Sequence, residues 1–157
     1  MLFELLSRRI VDEVLTIKQV VTAEFLLDWT MKYSEWLDKS WKHVFSVSSR
    51  FSRRKAIVKS KETRKPLLIT NEKVALQEGW IDQLVNKSVE MPESCALSLL
   101  NGLLEVSREE IRDNEVIFCL QKVGDFVECN LPRTTEIFNS VWPLLRDYYF
   151  ELGCNPN

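Results

Sequence analysis

Apolar residues recur at helical steps along most of this chain. Leu2, Leu5, Leu6, Ile10, Val14 and Ile17 form one stripe with Arg8, Arg9, Asp12 and Glu13 mostly off it, which predicts an amphipathic helix. A longer pattern predicts a second helix over 23–47. Thr22 is its candidate N-cap, and Glu24 sits in the first turn, where the helix dipole favours an anion. At about 100° per residue, Phe25, Leu26, Trp29, Tyr33, Trp36, Leu37, Trp41 and Val44 fall within an arc of roughly 160°. Asp28, Lys32, Glu35, Asp38, Lys39 and Lys42 fill the other side. One packing seam does not need so broad an arc, so this helix is expected to lie between neighbours on two sides. It would be roughly 37 Å long at 1.5 Å per residue.

Beyond it, Ser46, Ser48, Ser49 and Ser52 dilute the apolar pattern, and the chain from 48 to 66 reads as a basic connector, a loop or a frayed extension of the long helix. Pro66 disfavours helix at Lys65. Asn71 can cap a helix over 72–86 that carries Val74, Ala75, Trp80, Ile81, Leu84 and Val85. Pro92 opens a further helix in which Cys95, Leu97, Leu99, Leu100, Leu103 and Leu104 suit the middle of a core. Ser107-Arg108-Glu109-Glu110 spells a capping box for a short polar helix ending near Asn114. Val116–Leu120 and Phe126–Cys129, separated by a stretch containing Gly124-Asp125, read as a β-hairpin. After Pro132, Thr134 or Thr135 can cap a last helix with Ile137, Phe138 and Val141, broken or kinked at Pro143 and stopped at Gly153. The expected fold is therefore mainly α: a single helical domain, residues 1–157, of about six helices with one β-hairpin.

Composition bounds this picture without changing it. Of 157 residues 45% are hydrophobic and 28% charged, a globular balance that excludes wholesale disorder. No apolar run approaches the length of a membrane span, and the acidic start Met1-Leu2-Phe3-Glu4 is unlike a signal or transit peptide. An intracellular location, cytoplasm or nucleus, is the expectation, with no membrane partner.

Charge changes the picture more. The net charge of −2 divides into −3 over residues 1–38, +9 over 39–65 and −8 over 66–157. A block of ten basic and one acidic side chain can meet a polyanion and gain from counterion release. Arg50, Arg53, Arg54, Lys55, Lys59, Lys61, Arg64 and Lys65 are its candidate phosphate contacts. Trp41 beside them would supply base stacking if exposed, as single-strand binders require. The bland alternatives are a solvated connector, an import signal, or a surface neutralised by the acidic later part of the chain.

Candidate chemistry is sparse. Cys95, Cys119, Cys129 and Cys154 include no close pair of the zinc or redox type. In a hairpin Cys119 would face Cys129, but two buried thiols are the preferred reading. His43 is the only histidine, with no nucleophile or acid nominated beside it. The adjacent carboxylates Asp12-Glu13 and Glu109-Glu110 point apart on a helix. Glycine-rich phosphate loops and nucleophile elbows are missing from the sequence. No catalytic residue, metal or cofactor is expected.

Three roles remain. The first is a non-catalytic nucleic-acid-associated protein that holds RNA or DNA by the basic segment. The second is a protein-interaction or scaffold subunit of a homo- or hetero-oligomer, an adaptor whose contacts would come from Leu2, Leu6 and Ile10 of the first helix, pairing with its copy, and from Trp29 and Trp36. The third is an enzyme with a dispersed carboxylate site.

Overall fold

The computed structural model describes residues 17–60, 71–113 and 117–154. These form six α-helices: α1 Ile17–Lys32, α2 Trp41–Ser60, α3 Asn71–Lys87, α4 Glu93–Arg112, α5 Phe118–Asn130 and α6 Thr134–Cys154. Single 3-10 turns at Ser34–Trp36, Asp38–Ser40, Ser88–Glu90 and Leu131–Arg133 join or precede them. Leu2, Leu6 and Ile10 lie outside the described residues.

The core is built around α4. Its Ala96, Leu99, Leu100, Leu103 and Leu104 are buried, and α2, α5 and α6 each pack against it. Pro92, extended at φ −52° and ψ 148°, starts this helix as its N-cap. Its fit to α2 is tight. A Cβ on Gly102 would lie 2.7 Å from the Cβ of Trp41 and 3.0 Å from the backbone nitrogen of Lys42, so glycine is what lets the two helices meet there.

Three expectations are corrected. The hairpin is absent: Phe118–Asn130 is the helix α5, and no strand occurs among the described residues. Cys119, Val123, Phe126 and Asn130, at steps of four, three and four, are all buried against α3 and α4. The capping box is not used either. Helix α4 runs on to Arg112, and the carboxylate of Glu110 instead accepts the backbone N–H of Cys119 at 2.8 Å, capping α5 from the neighbouring helix. None of the four cysteines is in a disulfide.

The long helix over 23–47 is two helices. Helix α1 stops at Lys32, two 3-10 turns follow, and Asp38 adopts a positive φ of 33° that an aspartate tolerates better than most residues. Contacts from later elements hold this break open. Lys87 Nζ donates to the carbonyl of Met31 at 2.6 Å, in the last turn of α1, where a cation also suits the helix dipole. Ser98 Oγ donates to Asp38 Oδ1 at 3.2 Å. For 48–66 the reading as a helical extension holds as far as Ser60, where α2 ends, with Ser48 and Ser49 buried. Ser48 returns its hydroxyl to the Val44 carbonyl at 3.1 Å, so a small polar residue is buried without an unmet hydrogen bond. Finally, α6 passes through Pro143 without ending.

The junction between α5 and α6 is clamped to the end of α3. Arg133 Nη1 points at the carbonyls of Ser88, Val89 and Met91 at 3.1, 2.8 and 3.0 Å, and Asn130 Nδ2 donates to Ser88 Oγ at 2.8 Å. The Arg133 bonds satisfy carbonyls that a helix end leaves open.

Candidate interaction surface

The broad apolar arc of the second predicted helix splits in two. One half turns inward: Leu26, Leu37, Trp41 and Val44 are buried. The other half faces out. Phe25, Trp29, Tyr33 and Trp36 are 66, 41, 37 and 83% exposed, the first two on the last two turns of α1, Tyr33 just after its end and Trp36 in the 3-10 turn that follows. Trp29 and Tyr33 have ring centroids 4.9 Å apart, and the Lys32 ammonium lies 5.5 Å from the Tyr33 ring. The break after Lys32 carries the chain into the core at Leu37 and Trp41 while Trp36 stays outside.

A second aromatic row runs along α6. Phe138 and Trp142 stack with centroids 5.8 Å apart and planes at 9°, and Phe150 lies further along the same helix; all three are exposed. The rotation of α6 is set from its inner side. Ile137, Leu145 and Tyr148 are buried, and the Tyr148 hydroxyl shares a 2.6 Å hydrogen bond with Ser107 Oγ. Arg108 lies over the Tyr148 ring at 5.1 Å and donates from Nε to Glu151 at 2.7 Å. Burial pushes the Tyr148 phenol above its ordinary pKa, against the opposing effect of the Ser107 bond.

The nominated nucleic-acid residues are placed differently. Trp41 is 1% exposed and stacked on Phe45 at 5.8 Å, so its ring is closed to a base; its assignment to a nucleic-acid contact is corrected. Its neighbour Lys42 is held by Glu109 at 2.9 Å and Glu105 at 3.2 Å, and the Glu109 hydrogen bond does most to raise its pKa. Arg50 is half-buried and engaged within the chain. Arg53, Arg54, Lys55 and Lys59 fall on the last turns of α2 with side chains outside the described set. Lys61, Arg64 and Lys65 lie wholly outside the described residues.

A shallow depression of about 200 Å³ is lined by Asp82, Val85, Asn86, Asp125, Glu128 and Cys129. Two of its three carboxylates share one lysine. Lys122 Nζ lies 2.6 Å from both Asp82 and Asp125; burial opposes its charge, but these two carboxylates raise its pKa on balance. The Cys129 thiol donates to Asn86 Oδ1 at 3.0 Å, and burial pushes its pKa up, so it stays protonated at neutral pH. Among the described residues no group of three or more His, Cys, Asp and Glu side chains is placed to hold a metal ion, and no helix is long and apolar enough to cross a membrane.

Sequence reasoning nominated Trp29 and Trp36 and missed Phe138, Trp142 and Phe150. Their spacing of four and then eight was visible, but periodicity does not say which face of an apolar helix is covered.

No protein-family model matches the chain, and no solved structure does. It is similar to two curated proteins of Arabidopsis thaliana, Brefeldin A-inhibited guanine nucleotide-exchange protein 2, at 24% identity, and protein 3, at 25%. Each match spans 92 residues, 57% of this chain and 5% of the relative. The matched stretch is thus about a twentieth of the length of those proteins.

Proposed function

We propose that this chain is a non-catalytic protein-interaction module that presents the aromatic face of α1 to an apolar helix of another polypeptide. The observation that carries this is the exposure of Phe25, Trp29, Tyr33 and Trp36 within α1 and the turn that follows it, with Trp29 and Tyr33 in ring contact. A single exposed aromatic is ordinary, whereas an apolar patch marks a contact surface, and Trp and Tyr dominate binding hot spots. Likeness to a short stretch of much longer exchange proteins is in keeping with this reading. The +9 block keeps an RNA- or DNA-binding reading as the second, weakened by the burial of Trp41 and the pairing of Lys42.

A photo-crosslinking residue in place of Trp36, in the full chain expressed in its own cells, tests the first reading. A discrete adduct is expected whose crosslinked site maps to an apolar helix, and which disappears with F25S/W29S while the thermal melt is unchanged. The same adducts from a probe at the exposed Asn101, or adducts that survive F25S/W29S, defeat it. Salt-sensitive oligonucleotide binding, lost on changing Arg53, Arg54, Lys55, Lys59 and Lys61 to Ala, would favour the second reading.

A further inference from the structure

Phe138, Trp142, Arg146 and Phe150 follow one another at steps of four on α6, and all four are exposed. Residues four apart on a helix form a ridge, here about 18 Å long at 1.5 Å per residue. The ridge has aromatic ends, an indole second and a guanidinium third. That order matches its own reverse: turned end for end, Phe138 meets Phe150, and Trp142 meets Arg146.

We propose that α6 pairs with α6 of a second copy of this chain in a two-fold symmetric contact along this ridge. Two-fold symmetry places the same patch on both sides and makes every unlike pair occur twice. The contact therefore holds two Phe138–Phe150 pairs and two Trp142–Arg146 pairs. The i, i+4 ridges of two helices lie side by side when the axes cross at about 50°, the commonest packing class. Phe138 and Trp142 are already stacked nearly parallel, so the two rings are ordered together before the second copy arrives, with one indole face against Phe138 and the other left for a cation. Arg146 suits its role: Nε and Nη2 both donate to Asp147 Oδ1, at 2.9 and 2.7 Å, in the plane of the guanidinium. Its faces are left to lie on an indole, as cation–π contacts require. The inner side of α6 is fixed by Tyr148 and Ser107, so the ridge cannot roll into its own core.

A contact of this length falls at the small end of specific interfaces. The dimer is accordingly expected to form at concentrations on the order of 100 µM. This contact is separate from the α1 face, and either can fail alone. Sedimentation velocity of the full chain from about 5 µM to 1 mM is the test, with a thermal melt of each variant to confirm folding. The expected result is a concentration-dependent shift from 18.4 kDa toward twice that mass. It should be abolished by F138E/W142E, and by F150E alone, and weakened about tenfold by R146A, which removes the cation from both copies of the pair. F25S/W29S and L2S/L6S/I10S should leave it unchanged. A chain that stays monomeric to 1 mM overturns the proposal, as does a dimer that survives F138E/W142E or is indifferent to R146A. A dimer lost with the α1 or N-terminal variants also overturns it, by assigning self-association to another surface.

Discussion

Replacing Gly102 by Ala tests the packing of α2 on α4 directly. The new Cβ would sit 2.7 Å from the Cβ of Trp41 and 3.0 Å from the Lys42 nitrogen and the Trp41 carbonyl carbon. Two of these atoms are backbone and the third is attached to it, so no rotamer change relieves the overlap. Helix α2 has to withdraw by roughly 1 Å to restore ordinary contact, in a core as tightly packed as an organic crystal. Overpacking of this kind costs about 1–3 kcal/mol. Against it stands the gain of about 1 kcal/mol from replacing a helical glycine by alanine. With backbone atoms in the way the upper part of the range applies, leaving a net loss of about 2 kcal/mol. Gly79 and Gly124 provide the control. Both are helical, and a Cβ on either meets nothing within 4 Å, so the same substitution there is expected to stabilise by about 0.5–1 kcal/mol. Urea unfolding measures all three, since a shift of midpoint at constant slope reports stability alone. In a chain of this size, G102A should lower Tm by about 4–8 °C, while G79A and G124A should raise it by about 1–4 °C. A G102A protein as stable as the parent would show that α2 and α4 are not packed as described.

Two further outcomes follow from the buried polar groups. S107A and Y148F each leave one hydroxyl of a buried pair without its partner and should each cost about 1–3 kcal/mol; the double variant should lose less than the sum, and strict additivity in urea melts would count against the 2.6 Å bond. Lys42, Lys122 and Tyr148 all hold their protons more tightly folded than unfolded. For each, the contribution to stability is complete below the ordinary value, 10.5 for the lysines and 10.0 for the tyrosine, and is lost as pH rises from there through the folded-state value. Thermal melts should therefore fall steeply above about pH 10, and the fall should be shallower in K42Q/K122Q; equal slopes would refute the ion-pair contribution.

The hairpin expected over 116–129 shows where local reading fails. Val116-Ile117-Phe118-Cys119-Leu120 has strand composition, and Gly124-Asp125 has turn composition. The helical steps through Cys119, Val123, Phe126 and Asn130 were also present, hidden by that composition. The groove presented by α3 and α4 decided between them, with the N-terminus of α5 capped by Glu110, a residue of the preceding helix. In the same way nothing local breaks the chain at Lys32. Lys87 reaches the Met31 carbonyl from 56 positions away, and Ser98 reaches Asp38 from 60.

The alternation of apolar and polar positions was enough to make this a helical protein, to start α3 at Asn71, to open α4 after Pro92, and to place the leucines of α4 in the core, because a 3.6-residue period and cap chemistry act within a few residues of chain. Which half of a two-sided apolar helix meets the core was decided only on folding. Burial depends on what neighbouring helices cover, and that placed Trp41 inside while leaving Trp29, Trp36 and the α6 ridge in water.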